Sequence, residues 1–429
     1  MISQLRDLQR TYADSLTVLG VHSGKYRRER DTDRIRDAAL RLGNDHPIVN
    51  DRQFRVWRGY AVEAWPTIVI VGPDGRVLGS RAGEFTAPML GPTLDRLIAV
   101  YREHGELRPA PLEFPLDAPT VAPGVLRYPG KVAVDGDRIA IADTGHHRLL
   151  LGRLTADGVQ VRVERVVGRG VPGFSDGADA AFMEPQGLAF DGDALYVADA
   201  GNHAVRRVDV SSGDVATVAG NGHQLRTRED QRAGALSSPW DVVPSGGTLY
   251  IAMAGVHQLW SLDLATRAVR PHSGSMREDI ADGPQASAAL AQPMGIALGG
   301  DRLYFTDSES SAVRWADVRS GGSVGTIVGT GLFEFGDRDG VGDAALLQHP
   351  QGIARHADGR LLVADSYNDA LRWVDPASRA VTTWVRGLHE PEGVSCGARM
   401  AYAADTNAHR LVAIAYGEAV VREVEILGV

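Results

Sequence analysis

The chain has 429 residues, of which 44% are hydrophobic and 23% are charged, and its formal net charge is −9. Two domains are expected at this length, because a single hydrophobic core rarely serves more than about 250–300 residues. No run of about 18 apolar residues occurs, which excludes a membrane-spanning helix. The acidic balance argues against nonspecific nucleic-acid binding. We therefore expect neither a membrane nor a nucleic acid as a partner.

The cysteine content and the first residues bear on location and redox chemistry. Cys396 is the only cysteine, so an intramolecular disulfide is impossible, which suits a reducing compartment. Met1 leads directly into polar residues without the basic and apolar segments of a secretory leader, so we expect a cytoplasmic protein. Cys396 falls in a predicted strand, where we expect a buried core residue rather than a reactive thiol.

Residues 1–105 are predicted to form an α/β domain, because helical and strand patterns alternate along them. Leu5, Leu8 and Tyr12 recur at the spacing of one helix face and lead into an apolar segment. The further predicted elements are a buried strand over 16–21, a helix capped by Asp31 and closed by Gly43, the segment 46–51, a short helix with Phe54 and Trp57, a strand over 67–71, a turn at 72–75, a strand from Arg76, and a final helix from about Thr86 to His104.

Residues 106–124 are predicted to be a linker. Five prolines occur between Pro109 and Pro123, a density that is typical of a stiff, extended connection. The segment 112–114 could instead supply a closing strand to the last repeat of the chain, and the segment 420–426 could equally fill that place. The sequence leaves both alternatives open.

One short pattern recurs six times between residues 125 and 429. It consists of a proline, a glycine within two residues (an aspartate in the third copy), an apolar strand, a second strand ending in Ala-Asp or a close variant, and a third apolar strand. Repeats of about 40–50 residues built from short strands are typical of a β-propeller, in which each repeat is one blade. We therefore predict an all-β six-bladed propeller over residues 125–429. The prolines are Pro129, Pro185, Pro239, Pro293, Pro350 and Pro391.

Two further features of the repeat indicate stacked blades. Second strands such as the one over 195–199 are near-continuous apolar runs, as expected for strands that neighbouring blades cover on both faces. A large apolar residue also stands three positions before each proline, and we expect it to seat each blade on its neighbour. These residues are Leu126, Phe182, Leu236, Leu290, Leu347 and Leu388.

Three segments that follow second strands resemble NHL repeats. They read Asp-Thr-Gly-His-His-Arg at 143–148, Asp-Ala-Gly-Asn-His-Ala at 199–204 and Asp-Thr-Asn-Ala-His-Arg at 405–410. The resemblance implies an NHL-type propeller. In propellers these turns lie at the same end as the start of the first strands, so they are expected to surround one mouth of the central channel.

The recurring aspartate at the end of the second strand admits two interpretations. A ring of carboxylates could bind a ligand, but Met253 replaces the aspartate in the third copy, so the ring would be incomplete. We expect instead that each carboxylate accepts backbone N–H bonds and stabilises the local turn.

A second polar position follows four residues after the aspartate. Its histidines could converge on a metal ion, as in propeller lyases and lactonases, and would then support hydrolase or lyase chemistry. Because this histidine belongs to the repeat signature, we expect a structural role and predict no metal, no cofactor and no catalytic residue. The loop 337–343 resembles a calcium loop but lacks the closing glutamate, so we interpret it as a turn. The residues at this position are His147, His203, His257, Ser311, Asp369 and His409, of which all but Ser311 remain candidates for ligand binding at the propeller mouth.

The segment 60–75 is similar to the second half of a thioredoxin-like domain. In that resemblance Trp65, Pro66 and Thr67 match the cis-proline loop, which faces the substrate in active members, and a cis bond before Pro66 is expected. The whole chain resembles the family of NHL-repeat-containing protein 2, a thioredoxin-like domain followed by an NHL propeller. The most specific segments of that resemblance are 20–23, 46–51, 238–242, 251–255 and 307–311.

The chain also departs from that family. The resemblance implies a strand and a Cys-x-x-Cys motif before the first helix, and neither is present here. That strand lies centrally in thioredoxin-like sheets, so its absence would leave the strands over 16–21 and 67–71 with unpaired inner edges. Either these strands pair directly, or a partner supplies the strand, or the natural protein begins upstream of Met1. We expect the last.

Three functions are consistent with these observations. The first is a non-catalytic scaffold, in which the propeller face binds an unknown protein or small-molecule ligand and the thioredoxin-like domain is redox-dead. The second is a fragment of a thiol–disulfide oxidoreductase, because that chemistry requires a thiolate and a resolving thiol that this chain lacks. The third is a metal-dependent propeller hydrolase or lyase. We favour the scaffold.

Overall fold

The computed structural model describes residues 2–44, 46–83, 85–107, 114–115 and 124–429. The chain divides into two compact units, Met1–Thr120 and Val121–Val429, and each is described by itself. Within the described ranges, every helix is too short or too polar to cross a membrane. Most of the predicted linker lies outside the described residues.

The described residues of the first unit form four helices and two small sheets. Asp31 caps the second helix by accepting the backbone N–H bonds of Asp33 and Arg34, as its position predicted. The core of the unit is a small cluster around Leu8, Phe85 and Leu94. The elements are α1 Ile2–Thr11, β1 Gly20–His22, α2 Thr32–Arg41, β2 Ile48–Asn50, α3 Arg55–Gly59, β3 Thr67–Val71, β4 Val77–Ala82 and α4 Ala87–Glu103, with one 3-10 turn at Arg28–Arg30.

The expected buried strand over 16–21 is wrong. The observed strand β1 is only three residues long and pairs with β2 alone, in parallel. Among the described residues this sheet has two strands, and Leu19, which precedes β1, and Val21 are 56% and 46% exposed. Strand β3 pairs antiparallel with β4, and within the described residues β1 and β3 belong to separate sheets. Direct pairing of these two segments, one of the three alternatives, is therefore not observed.

The second unit is a six-bladed β-propeller, as predicted. Its first strands contact one another in sequence order, and the first strand of the last blade contacts that of the first blade. The strands of blade 1 are β5 Val132–Asp135, β6 Arg138–Asp143, β7 Arg148–Leu154 and β8 Gln160–Val167; of blade 2, β9 Pro185–Asp191, β10 Ala194–Asp199, β11 Ala204–Asp209 and β12 Val215–Ala219; of blade 3, β13 Pro239–Ser245, β14 Thr248–Met253, β15 Gln258–Asp263 and β16 Val269–Ser273; of blade 4, β18 Pro293–Gly299, β19 Arg302–Asp307, β20 Ala312–Asp317 and β21 Ser323–Val328; of blade 5, β23 Ile353–Arg355, β24 Leu361–Asp365, β25 Ala370–Val374 and β26 Ala380–Arg386; and of blade 6, β27 Pro391–Cys396, β28 Met400–Asp405, β29 Arg410–Ala415 and β30 Val421–Glu423.

Short additional strands cover some outer blade edges. β17 (Gly283–Pro284) and β22 (Gly340–Val341) pair with the fourth strands of blades 4 and 5, and β31 (Glu425–Leu427) pairs in parallel with β8 of blade 1. Such pairing satisfies backbone groups that an open edge would leave unpaired. A short helix, α5 (Arg228–Arg232), lies in the connection between blades 2 and 3.

The C-terminal segment closes the ring. β30 supplies the fourth strand of blade 6 and β31 continues onto blade 1, so the alternative that placed 420–426 at the closure is confirmed. The competing segment 112–114 lies mostly outside the described residues. Joining the last blade to the first in this way ties the two ends of the repeat array together.

The six large apolar residues that precede the prolines are all buried, with at most 2% of their surface exposed. Each belongs to a hydrophobic cluster that combines side chains of two neighbouring blades. Phe182, for example, packs with Leu149 of blade 1 and Leu195 of blade 2. The predicted seating of each blade on its neighbour is confirmed.

Candidate functional site

The turns between second and third strands surround one end of the propeller. Each is a single 3-10 turn, and it lies beside the start of a first strand, since Asp199 pairs with Pro185 and Asp405 with Pro391. We call this end of the propeller the loop face. The resemblance to NHL repeats predicted this placement. The turns are Thr144–His146, Ala200–Asn202, Ala254–Val256, Ser308–Ser310, Ser366–Asn368 and Thr406–Ala408.

The aspartate before each turn is fully buried and has a structural role. One carboxylate oxygen accepts the backbone N–H of the residue two positions before the blade's proline, for example Met183 N–H to Asp199 at 2.9 Å. In blade 3 the sulfur of Met253 accepts the same bond from Ser237 at 3.4 Å. The sequence predicted that the aspartates accept backbone N–H bonds. The observed donors lie in the segment before the first strand, so each aspartate fixes that segment and not only the turn. The other aspartates are Asp143, Asp307, Asp365 and Asp405.

The second carboxylate oxygen of each aspartate accepts from an arginine. In blade 2, Arg206 is completely buried and its guanidinium lies 2.7 Å from both Asp199 and Asp176. The equivalent Arg314 and Arg372 are also completely buried. In blade 3 both partners change together, because Trp260 stands where the arginine would be and packs in the same cluster as Met253. A buried carboxylate needs its counter-ion, and an apolar pair can replace both.

The histidine position connects each blade to the next. His147, His203 and His257 accept, through Nδ1, the backbone N–H of Glu184, Ser238 and Gln292 at 3.0–3.1 Å. Ser311 and Asp369 accept the equivalent bonds from His349 and Glu390 through side-chain oxygens. His409 accepts from Tyr128 at 3.0 Å and so joins blade 6 to blade 1.

Both partners in these bonds have unusual backbone conformations. The acceptor residues have φ between 49° and 55°, and the donors, each of which immediately precedes a proline, have φ between 47° and 67°. Non-glycine residues rarely adopt this left-handed region. The hydrogen bond therefore holds two uncommon conformations in register at each junction.

The electrostatics of His147 and His203 agree with a neutral acceptor. Burial, together with the nearby Arg127, lowers the pKa of His147. Burial, with a smaller effect of Arg226, lowers the pKa of His203 to about 4. A protonated ring would carry hydrogen on Nδ1 and could not accept the backbone N–H.

The structure does not bring the five candidate mouth residues together as a ligand set. Each uses its side chain at a different inter-blade junction, and no group of three or more His, Cys, Asp or Glu side chains within the described ranges is arranged to hold a metal ion. In the predicted turn 337–343, Asp337 and Asp339 bind Arg372, and Thr383 also donates to Asp339. The prediction of no calcium in that loop remains a prediction.

In the first unit, the Trp65–Pro66 bond is cis, as expected. The Trp65 indole N–H donates to the carbonyl of Ser23 at 2.8 Å, and the Trp65 ring packs against Trp57 with 4.5 Å between the ring centroids. Nevertheless 48% of Trp65 is exposed. The Thr67 hydroxyl donates to the Ala64 carbonyl and is used within the loop. Of Trp65, Pro66 and Thr67, Trp65 is therefore the exposed residue.

The buried Asp51 stabilises this loop through Ser23, and the sequence analysis did not single it out. Burial alone would raise the pKa of Asp51, but backbone N–H donors at Trp57, Val56 and Arg55 and the Ser23 hydroxyl together lower it. Asp51 therefore connects the start of α3, which carries Trp57, to the Ser23 backbone that holds Trp65. Its position inside the segment 46–51 was the only signal that could have identified it.

The only thiol of the protein is poorly reactive. Cys396 ends β27 at the margin of the cluster between blades 5 and 6, and it is half-buried rather than fully buried as expected. Burial raises its pKa to about 11. A thiol must ionise to act as a nucleophile, so this environment disfavours thiol–disulfide chemistry.

Sequence reasoning expected a central channel but did not predict the ion pair inside it. A cavity of about 540 Å³ lies inside the ring of first strands, and a buried ion pair, Lys131 with Asp241, lies in its lining. Two signals were available. Asp241 departs from the repeated glycine, and Lys131 is one of only two lysines in the chain.

Together the six blades and the hydrogen-bonded turns define an NHL-repeat β-propeller protein. The NHL repeat family matches residues 126–150 and 182–208. The human NHL repeat-containing protein 2 is 36% identical over 467 residues, which cover 96% of this chain and 64% of the human protein. The chain belongs to the family of NHL repeat-containing protein 2.

Two other proteins are similar to a smaller share of this chain. Suppressor of quenching 1, a chloroplastic protein of Arabidopsis thaliana, is 38% identical over 407 residues, which cover 89% of this chain and 38% of that protein. Among solved structures, a nidogen/laminin complex matches with a TM-score of 0.46 and 15% identity over 65% of this chain and 91% of the matched chain. The chain spans less than two thirds of the length of the human protein and of the Arabidopsis protein.

Proposed function

We propose that this protein is a non-catalytic binding scaffold whose propeller docks a partner protein on the loop face. The observation that carries this proposal is the use of the polar side chains at that face. The polar positions that recur in every repeat, which would be the source of catalytic groups, form inter-blade hydrogen bonds instead. A propeller with its polar groups engaged in this way is a rigid platform, and its function depends on the loops that it presents.

Those loops present apolar side chains to solvent. Asn202 and Asn368 of the 3-10 turns donate to the carbonyls of Gly173 and Gly336, each at 2.7 Å, and so anchor two of the connections between blades. The same connections carry Phe174 and Phe333, which are 42% and 65% exposed. Exposed aromatic residues on an anchored loop are typical of binding surfaces, where they supply contact area at little cost in conformational entropy.

We propose further that the first unit is thioredoxin-like and redox-dead. Its order of helices and strands and its cis bond before Pro66 support the likeness. The chain carries a single cysteine, with a raised pKa, and therefore has no dithiol of its own. In this proposal the exposed Trp65 loop is a docking element, and the protein acts in the cytoplasm.

The redox part is tested by dithiol-dependent insulin reduction with the purified chain. We expect the rate to equal that of dithiothreitol alone, and Cys396→Ser to give the same rate. Turnover above that background, lost in the serine variant, would contradict the redox-dead assignment.

The docking part is tested by site-specific photo-crosslinking. A photoreactive phenylalanine at position 174 or 333 probes the loop face, and one at Asp301, in an exposed turn at the opposite ends of the strands, serves as the control. We expect both loop-face positions to crosslink the same protein, and the crosslink at 333 to be lost in a chain that also carries Phe174→Ser. Equal crosslinking from position 301 would count against a specific docking face.

A further inference from the structure

The segment 52–65 of the first unit, which contains α3, presents aromatic side chains at the surface. Four of its 14 residues are aromatic, whereas 6% of the whole chain is aromatic. None of the 14 is fully buried, and Tyr60 and Trp65 are 45% and 48% exposed. Aromatic residues normally lie in a core, so a group of them at the surface indicates an interaction site.

Three of these aromatic residues form one cluster. The ring centroids of Phe54 and Trp57 are 5.7 Å apart, those of Phe54 and Trp65 are 6.5 Å apart, and Trp57 and Trp65 are in closer contact. Phe54 also has a left-handed backbone, with φ of 56°, and its N–H donates to the carbonyl of Asp51 at 2.8 Å. A bulky residue rarely adopts this conformation, and such residues concentrate at functional sites. We call Phe54, Trp57 and Trp65 the aromatic cluster.

Two arginines flank the aromatic cluster. The guanidinium carbon of Arg30 lies 5.6 Å from the centroid of the Phe54 ring. Arg58 Nη2 donates to the carbonyl of Gln53, the residue before Phe54, at 2.9 Å. Neither arginine forms an ion pair with a residue that the structure describes. The Nε of Arg30 is in addition buried without an acceptor, which is unfavourable for a charged group unless an anion lies close by.

The surrounding side chains leave this surface positive. Arg52 and Arg55 are exposed and form no ion pair with a described residue. Glu63 is the one acidic residue between positions 52 and 65. Asp51 is buried and accepts three backbone N–H bonds and the Ser23 hydroxyl, so its charge is already compensated. Four guanidiniums therefore stand against one exposed carboxylate.

We propose that this surface docks an acidic segment of a partner protein, in which an aromatic or aliphatic side chain stands beside two or more carboxylates. The apolar side chain packs on Trp65 and the rest of the aromatic cluster, and the carboxylates pair with Arg30 and Arg58. This partner chemistry rests on the docking role proposed above for the Trp65 loop and makes it specific.

A protein segment fits the charges better than a membrane or a nucleic acid. The formal net charge of the chain is −9, which repels an extended anionic surface. A short acidic segment responds mainly to charges within about 8 Å, the distance over which physiological salt screens them. It therefore meets the local arginines and not the acidic remainder of the molecule.

The test begins with a phage-displayed library of random dodecapeptides selected against the full chain. We expect the enriched peptides to contain two or more Asp or Glu residues beside Phe, Trp or Leu. Fluorescence polarisation of one labelled enriched peptide then measures its affinity for the parent chain and for variants. Replacing its acidic residues by Asn and Gln should weaken binding at least about tenfold, and about 1 M salt should have the same effect.

Variants of the chain locate the binding surface. Arg30→Gln and Arg58→Gln should each weaken peptide binding about tenfold, and Trp65→Ala should weaken it at least as much. Arg76→Gln removes an exposed guanidinium beyond the other end of β3 and should leave the affinity unchanged. Because Trp65 also packs on Trp57, circular dichroism checks the fold of each variant, and the two arginine variants decide the test if Trp65→Ala is unfolded.

Three results would overturn the proposal. Enriched peptides that are neutral or basic, or that bind the Arg30→Gln and Arg58→Gln chains as tightly as the parent chain, would refute an acidic partner while leaving the docking role of the loop intact. Peptides whose affinity is unchanged in a folded Trp65→Ala chain, or no enriched peptide at all, would refute that docking role as well. Cosedimentation with phosphatidylserine vesicles is the parallel assay, and Trp65-dependent binding to vesicles without enrichment of acidic peptides would show a membrane-binding surface instead.

Discussion

His409 Nδ1 accepts the backbone N–H of Tyr128 at 3.0 Å, across 281 residues of sequence. The rings of the two residues also contact each other at a centroid distance of 4.3 Å. An equivalent bond to the residue before the proline connects each of the five other pairs of consecutive blades. At this junction it joins the end of the repeat array to its beginning, beside the pairing of β31 with β8.

Removing this bond should loosen the ring at its closure. We expect His409→Ala to lower the free energy of unfolding of the propeller by about 1–2 kcal/mol, because the Tyr128 N–H loses its acceptor in a buried setting. His409→Asn should lose less, since asparagine tolerates the left-handed conformation and offers an oxygen acceptor. Urea unfolding monitored by circular dichroism measures both. An alanine variant as stable as the parent would show that β31 alone maintains the closure.

The buried arginines should be among the most sensitive residues of the propeller. We expect Arg206→Met to cost about 3–5 kcal/mol, because it leaves the fully buried Asp199 without its counter-ion. Arg207→Met on the same strand, at a less buried position, should change stability by less than about 0.5 kcal/mol. Both are measured by urea unfolding.

In blade 3 an apolar pair replaces the aspartate and the arginine, which suggests a second substitution that compensates for the loss of Arg206. The double variant Asp199→Met with Arg206→Trp copies the pair formed by Met253 and Trp260, and it should be more stable than Arg206→Trp alone. If the double variant were the less stable of the two, the apolar pair would not be a self-contained substitute for the ion pair.

The histidine junctions predict a specific pH dependence. The pKa of His203 is about 4 in the folded protein and about 6.5 when the chain is unfolded, so the unfolded state takes up the proton first. The stability that neutral His203 contributes is complete above about pH 6.5 and is lost progressively as the pH falls toward 4. In His203→Asn this part of the pH dependence should disappear. Urea unfolding of both proteins at pH 7 and pH 5 gives the comparison, and identical differences between the two pH values would refute the assignment.

The ion pair in the channel should behave as a coupled unit. We expect Lys131→Met to destabilise the propeller by about 3–5 kcal/mol, because Asp241 is left buried with an uncompensated charge. Lys131→Met with Asp241→Asn removes both charges and should recover a large part of that loss. A double-mutant cycle measured by urea unfolding decides the coupling, and additive effects of the two substitutions would mean that the pair does not interact across the channel.

Much of the propeller followed from local sequence alone. The spacing of the six prolines predicted the blades, and the residues three positions before them, such as Phe182, predicted the packing between blades. Both features repeat with the period of the fold, so each copy reinforces the same interpretation. The cis bond before Pro66 was predicted from the resemblance of a single loop.

The first unit was less predictable, for a physical reason. The apolar segment over 16–21 has the composition of a buried strand, but burial depends on neighbours that a pattern of residues cannot supply. Among the residues that the structure describes, β1 pairs with β2 alone, and Val21 is 46% exposed. Asp51 was missed for the same reason, because its four donors come together only when α3 and the Ser23 segment are in place.

The sequence by itself determined the number of blades, their strands and the residues that seat them, because these depend on contacts that recur at a fixed spacing. The tertiary structure decided what the polar residues do. Whether His203 faces a ligand or the Ser238 N–H, and whether Lys131 meets Asp241, depends on which blades closing the ring brings into contact. Those partners are distant in sequence, and one blade alone carries no information about them.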